Sequence, residues 1–337
     1  MNYYYHNEAF VLEQGGKLPG LTIAYNTLGV MNSEKDNVVW ICHALTANSN
    51  AAEWWPGLVG EGTVLDPSKY FIVCANILGS CYGTTGPLSN DPATGAPFYD
   101  KFPLITIRDM VKAHQLLAAS LGIEKIHLLV GGSMGGYQAL EWAVIQPSMI
   151  KNIFLIATSA RETAWGIAIH TAQRIAIEAD QTWNTHSATA GAKGLKAARA
   201  IAMLTYRNYD TYAKTQHDPD GDKIDGFRAS GYIHHQGNKL VKRFNAYSYW
   251  FLTKAMDSHN IARGRSNSVE RVLASMLQRT LVIAISNDLL CPLPELELLA
   301  NHIPNATFHT IESLYGHDGF LTESALISRH LSTWLEE

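Results

Sequence analysis

Five consecutive residues constrain this chain more than any others: Gly131-Gly132-Ser133-Met134-Gly135. They follow the apolar run Ile126 to Val130. They precede a helical pattern that passes through Leu140, Trp142 and Ala143 to Gln146, where Pro147 stops it. A G-x-S-x-G pattern between a strand and a helix predicts a sharp turn that lifts the serine Oγ above a sheet. Glycines flank the serine because side chains there would collide with the adjoining strand and helix. The helix N-terminus beneath the serine also favours developing negative charge. A glycine-rich strand-to-helix turn can be purely structural, so the surrounding chain has to decide between the two readings.

Further short apolar or β-branched runs read as buried strands: Val38 to Cys42, Phe71 to Ala75, Ile153 to Ala157 and Leu281 to Ile285, with another around Thr307. Helical patterns fall between most of them. From Ile107 to Leu121, Met110, Val111, His114, Leu117 and Ala118 share one helical face, and Gly122 ends the helix. This alternation implies a mostly parallel sheet flanked by helices. From about Glu162 to about Met276 the rhythm changes to helical stretches, Ile167–Glu178, Leu195–Tyr206 and Tyr247–Met256, without a buried strand. The expected fold class is therefore α/β, an α/β-hydrolase fold with a catalytic core over residues 1–161 and 277–337 and a helical cap inserted at 162–276.

Composition narrows the possible partners. With 47% hydrophobic and 17% charged residues and a net charge of −4, the chain reads as a folded protein with no electrostatic footprint for nucleic acid. No run approaches the roughly 20 apolar residues of a membrane helix. MNYYYHNEAF lacks a basic segment followed by an apolar one, so no secretory signal is expected. Cys42, Cys74, Cys81 and Cys291 show no CxxC pair and no metal-type spacing. Reduced thiols, a cytoplasmic location and no bound metal are expected.

A serine nucleophile needs a base, and the base needs an orienting carboxylate. In this fold the chain order is Ser, then Asp or Glu, then His. Asp288 follows Ile285 by three residues, and His317 follows the run Phe308 to Ile311. Both fall at carboxyl ends of expected strands, on the sheet edge where the serine turn opens. Taken singly, Asp288 could be a helix cap before Pro292 or Pro294, and His317 is one of 14 histidines. Order and placement favour a Ser133–His317–Asp288 triad. The oxyanion needs two backbone N–H donors. Met134, after the nucleophile, supplies one, and Leu45, in the loop after Val38–Cys42, supplies the other.

Several blocks together resemble the homoserine O-acetyltransferase family: Cys42-His43-Ala44-Leu45-Thr46, the run Leu78 to Pro87, Thr106-Ile107-Arg108-Asp109-Met110-Val111 and Gly131 to Gly136. Leu204-Thr205-Tyr206-Arg207, the run Tyr249 to Asp257 and Gly316 to Leu321 do the same. The resemblance runs in order from about residue 8 to the end. It implies a ping-pong acyl transfer from acetyl-CoA to L-homoserine in methionine biosynthesis, with no bound cofactor and a homodimer formed through the cap. It also implies that Arg207 holds the substrate carboxylate, that Asp318 holds its ammonium group, and that Tyr249 lies near the site. A guanidinium suits a carboxylate bidentately. A cap ion pair for Arg207, a turn for Asp318 and cap packing for Tyr249 remain open.

Within the family, succinyl-CoA as donor and L-serine as acceptor stay open, because Thr46-Ala47-Asn48-Ser49-Asn50 departs from the glycine-containing stretch of acetyl-specific members. A serine esterase or thioesterase would carry the same triad, whereas a non-catalytic scaffold would be expected to break it. Asp218-Pro219-Asp220-Gly221-Asp222 lacks the glycine offset and the closing acid of a calcium loop and reads as a polar turn. Trp54-Trp55 either lines the site or packs under a loop. His234-His235 reads as a solvated pair. Cys42-His43 is not a nucleophile pair, because adjacent strand residues point to opposite faces.

Overall fold

Eight strands form one sheet in the computed structural model, which describes all residues 1–337. They are β1 (Asn2–His6), β2 (Leu21–Leu28), β3 (Val38–Cys42), β4 (Phe71–Ala75), β5 (Ile126–Gly132), β6 (Ile150–Ile156), β7 (Arg279–Ile285) and β8 (Ala306–Ile311). Their spatial order is β1-β2-β4-β3-β5-β6-β7-β8. The first two pairings, β1 with β2 and β2 with β4, are antiparallel. From β4 to β8 every pairing is parallel.

The central parallel strands β3 and β4 are apolar throughout, and β5 to β7 nearly so, because helices cover both faces. Successive residues feed two separate cores. Trp40, Leu129, Leu155 and Val282 belong to one, and Ile41, Val130, Ile156 and Ile283 to the other. The strand β5 thus runs buried between layers and delivers its last residue, Gly132, to the sheet edge directly beside Ser133.

Helix α1 (Ile107–Ser120) starts with a capping box in which Thr106 and Asp109 satisfy each other's backbone N–H groups. It ends at Gly122, whose φ of +68° gives the left-handed turn. Helix α2 (Met134–Ile145) carries the serine turn into the core. Between Ala164 and Ala274 every named element is a helix. The main ones are α3 (Ala164–Glu178), α4 (Ala192–Tyr206), α5 (Tyr209–Thr215), α6 (Arg228–Val241) and α7 (Ala246–Asp257). The two ends of this helical layer are joined: Glu162 N donates to His259 O at 2.9 Å, and Ile261 N to Ala160 O at 3.1 Å.

An ionic network centred on buried Glu141 fastens the helical layer to the core. Glu141, with a side chain 1% exposed, accepts from Arg108 Nε at 3.2 Å and from Arg265 Nη2 at 2.6 Å. Glu13 accepts from Arg108 and Arg263, each at 2.7 Å. The polar turn at Asp218 is closed by Lys223 at 2.6 Å and by the N–H of Arg228. His234 and His235 lie on the outer part of α6, with no salt bridge to either.

Candidate active site

Ser133 sits between β5 and α2 with φ 54° and ψ −128°, a conformation that side-chain-bearing residues rarely adopt. Neighbouring backbone leaves no room for side chains on the glycines around it. A Cβ on Gly131 would lie 2.3 Å from Gly135 O, and one on Gly135 would lie 2.0 Å from Cys42 O. The strained turn is locked by Ser133 N donating to Ile156 O at 3.1 Å and by Thr158 Oγ1 donating to Ser133 O at 2.8 Å.

His317 lies in a short 3-10 turn, Gly316–Asp318, that follows β8. Its Nε2 is 3.0 Å from Ser133 Oγ, and its Nδ1 is 2.7 Å from Asp288 Oδ2. Asp288, just past β7, has its other oxygen, Oδ1, fixed by the N–H groups of Leu290 and Cys291, both at 2.8 Å. The carboxylate is therefore oriented by backbone before it orients the imidazole. Burial of His317 disfavours its cation, but the charge and hydrogen bond of Asp288, with the charge of Asp318, outweigh this and raise its pKa above the usual value.

The loop after β3 runs against the start of α2. Gln138 Nε2 donates to both His43 O and Met134 O at 3.2 Å, tying the two segments that carry Leu45 and Met134. Both side chains are buried, at 5% and 0% exposure. As the first residue of α2, Met134 has an N–H without an intrahelical acceptor. His43 braces the loop: its Nδ1 is 2.8 Å from Ala44 O, and its Nε2 accepts from Ile77 N at 3.2 Å. Burial lowers its pKa to about 4, which keeps it neutral. Burial likewise pushes the Cys42 thiol well up, in keeping with a packing role.

A cleft of about 360 Å³ opens over Ser133 and His317. Its apolar lining includes Leu45, Trp54, Tyr206 and Phe320, and its polar wall includes Asp318 and residues of α4 and α6. The ring of Tyr206 lies 5.7 Å from that of His317. The tryptophan pair divides its roles: Trp54 lines the cleft, while buried Trp55 donates to Phe320 O at 2.8 Å beneath it.

Arg207 and Asp318 are brought together, but as partners of each other. Arg207 Nη2 is 3.1 Å from Asp318 Oδ2, and its guanidinium lies 4.8 Å over the ring of Tyr315. Asp318 reaches the cleft, whereas Arg207 stands behind it with Nη1 buried and unpartnered. Tyr249 does not reach the cleft. Its ring is fully buried within the helical layer, and its hydroxyl lies 3.1 Å from Gln173 Oε1. Tyr249 lies instead in the layer behind the lining, next to Tyr206, on the inward-packed face of α7. Tyr206, like Phe320, is an aromatic that faces His317. It stands in the Leu204–Arg207 block, one residue before Arg207, and only the facing of α4 separates it from its neighbours in the sequence.

One group of potential metal donors converges: Asp288, Cys291 and His317, with ligand atoms within 4.8 Å of one another. Two of them are already engaged with each other, and burial holds the Cys291 thiol protonated. This arrangement suits proton transfer from Ser133 to His317, with Asp288 orienting the ring, rather than ligation.

Comparison with known proteins agrees with this architecture. The family model described as alpha/beta hydrolase fold matches residues 37–324. A homoserine O-acetyltransferase of Cyclobacterium marinum is 47% identical over 320 residues, covering 95% of this chain and 91% of the relative. Among solved structures, homoserine O-acetyltransferase from Bacillus anthracis superposes with a TM-score of 0.89 at 25% identity, covering 100% of this chain and 97% of that one. Esterase E22 superposes with a TM-score of 0.91 at 22% identity, covering 99% of each chain, and shares the fold.

Proposed function

From the premise that this chain belongs to the homoserine O-acetyltransferases of the α/β-hydrolase fold, we propose how its residues divide the work of acyl transfer. Residues 1–161 and 277–337 form the catalytic core, and 162–276 the cap above it. The enzyme is an acyltransferase that moves the acetyl group of acetyl-CoA to the hydroxyl of L-homoserine, giving O-acetyl-L-homoserine for methionine biosynthesis. No cofactor is needed, because the side chains supply the nucleophile and the base.

In the first half-reaction Ser133 Oγ attacks the thioester carbonyl while His317 Nε2 takes its proton. The N–H groups of Leu45 and Met134 receive the charge that develops on the carbonyl oxygen. Collapse breaks the carbon–sulfur bond, His317 returns the proton to the departing thiolate, and acetyl-Ser133 remains. In the second half-reaction the homoserine hydroxyl attacks that ester, and His317 takes its proton. Expulsion of Ser133 Oγ, reprotonated by His317, releases the product ester. Asp288 holds the tautomer in which Nε2 can accept, and it stabilises the imidazolium in both halves.

Asp318 is assigned the ammonium group of homoserine and Arg207 its carboxylate. The observation that carries the acceptor assignment is Arg207 Nη1, buried without a partner beside Asp318. A carboxylate there would complete its hydrogen bonds. Water is the competing acceptor, and succinyl-CoA and L-serine are the competing substrates. Thiol release by purified protein with acetyl- or succinyl-CoA, with and without homoserine or serine, tests the assignment. Release that does not depend on an amino-acid acceptor would establish hydrolysis instead.

No helix is long and apolar enough to cross a membrane. All four cysteines are free, in keeping with a reducing, cytoplasmic location. The cap exposes Trp165, Ile175, Leu204, Tyr209 and Ile224. A second copy covering these residues would give the homodimer, which the mass in solution would test.

A further inference from the structure

The lining of the cleft carries three cations besides the triad: Arg199 on α4, Lys239 on α6 and Arg243 just past the end of α6. Two acids share the lining. Asp318 is paired with Arg207, and Glu53 accepts from Asn50 Nδ2 at 3.2 Å. Arg243 is committed to the loop after β3, where it donates to Thr46 O and, at 2.6 Å, to Tyr82 Oη. Neither Arg199 nor Lys239 has a salt bridge or a side-chain hydrogen bond.

Arg199 is nevertheless held in place. Its guanidinium lies 5.1 Å over the ring of Tyr206, seven residues on along the same face of α4, and Tyr206 in turn flanks His317. Neither cation has a carboxylate within ion-pair distance, although both line the same cleft. In a chain of net charge −4, an acidic partner would have been the simple way to neutralise them. Their charge is left for a ligand.

We propose that Arg199 and Lys239 bind the phosphate groups of the acyl donor's nucleotide arm. The inference rests on the acyl-CoA reading above and adds to it the residues that recognise the donor. Three considerations favour a phosphate over the acceptor's carboxylate. The carboxylate of an amino acid already has Arg207, on the Asp318 side of His317. A cleft of about 360 Å³ accommodates an acyl group and part of its chain but not a nucleotide as well, so the phosphates must lie towards the mouth. A multiply charged group is also the ligand that gains from a guanidinium fork and an ammonium together.

The test compares acetyl-CoA with S-acetyl-pantetheine, the same thioester without phosphates, at saturating homoserine. Wild-type protein should prefer acetyl-CoA. Arg199→Gln and Lys239→Gln should each lower kcat/KM for acetyl-CoA about tenfold, mainly through KM, and together about a hundredfold. Added salt should weaken acetyl-CoA use by the wild type and have little effect on the double variant. Turnover of S-acetyl-pantetheine and the KM for homoserine should not move, which also shows that the variants are folded. Equal losses with both donors, a rise in the homoserine KM, or no loss with either donor would each overturn the proposal. A wild type indifferent to the phosphates would overturn it while leaving acyl transfer intact, whereas failure of both donors with homoserine would remove the acyl-transfer reading itself.

Discussion

Replacing Asp288 by asparagine changes one atom, and the groups around it dictate how the new side chain must sit. Asp288 Oδ1 receives the N–H groups of Leu290 and Cys291 at 2.8 Å each. An amide nitrogen placed there would face two donors, so the amide oxygen must take that side. The NH2 group then points at His317 Nδ1, across the present 2.7 Å contact. It can only donate, so Nδ1 must become the acceptor and the ring proton moves to Nε2. From 3.0 Å, Nε2 then donates to Ser133 Oγ and cannot remove its proton. A triad held in the wrong tautomer loses about 10⁴ in kcat, or about 5.5 kcal/mol of transition-state stabilisation. The acylation burst with p-nitrophenyl acetate in stopped flow, alongside thiol release from acetyl-CoA, measures the loss. Stability should barely change in Asp288→Asn. In Asp288→Ala the two N–H groups lose their acceptor, at a cost of about 1–3 kcal/mol each. A loss of activity below about tenfold in Asp288→Asn would refute the orientation argument.

Three further outcomes are expected from the same geometry. Acylation requires neutral His317, whose pKa is raised by Asp288 and Asp318 against the effect of burial. Activity should therefore fall as pH drops through a midpoint above the ordinary histidine value of about 6.5. Asp318→Asn should move that midpoint down, as measured in the acceptor-free half-reaction. Gly135→Ala places a methyl group 2.0 Å from Cys42 O, a backbone atom that cannot swing away. It should cost about 1–3 kcal/mol in urea unfolding and slow acylation by displacing Ser133, and unchanged stability would contradict the close approach. Glu141→Ala strips the acceptor from Arg108 and Arg265 in a site where the glutamate is 1% exposed. The expected loss is about 3 kcal/mol, read by thermal and urea unfolding, and a loss of a few tenths would show the network to be dispensable.

The core was legible because buried parallel strands write themselves as uninterrupted apolar runs. Val38–Cys42 and Phe71–Ala75 match the structure end for end, and Gly122 ends its helix with the expected left-handed turn. The antiparallel strands β1 and β2 leave no comparable apolar run in the sequence. Asn2–His6 is largely exposed at the sheet edge and has no buried face to advertise. The residues of the site divide in the same way. Ser133, Asp288 and His317 sit at strand ends, where topology fixes position, so chain order sufficed to bring them to one place. Arg199, Tyr206 and Tyr249 sit on α4 and α7, helices whose facing depends on packing against their neighbours. Sequence could not tell that Tyr206 lines the cleft beside His317 while Tyr249 is buried behind it. The contacts of Gln138 that tie the loop carrying Leu45 to the start of α2 gave no signal either, being a side chain meeting backbone 95 residues away.

The central claim is that an acetyl group passes through Ser133 to an amino-acid hydroxyl. Intact-protein mass spectrometry tests it most directly. Acetyl-CoA alone should add one acetyl group, localised to Ser133 and absent from Ser133→Ala. Added L-homoserine should then discharge it as O-acetylhomoserine much faster than buffer discharges it as acetate. An adduct that never forms, or one that empties to acetate at the same rate with and without homoserine, would contradict the account.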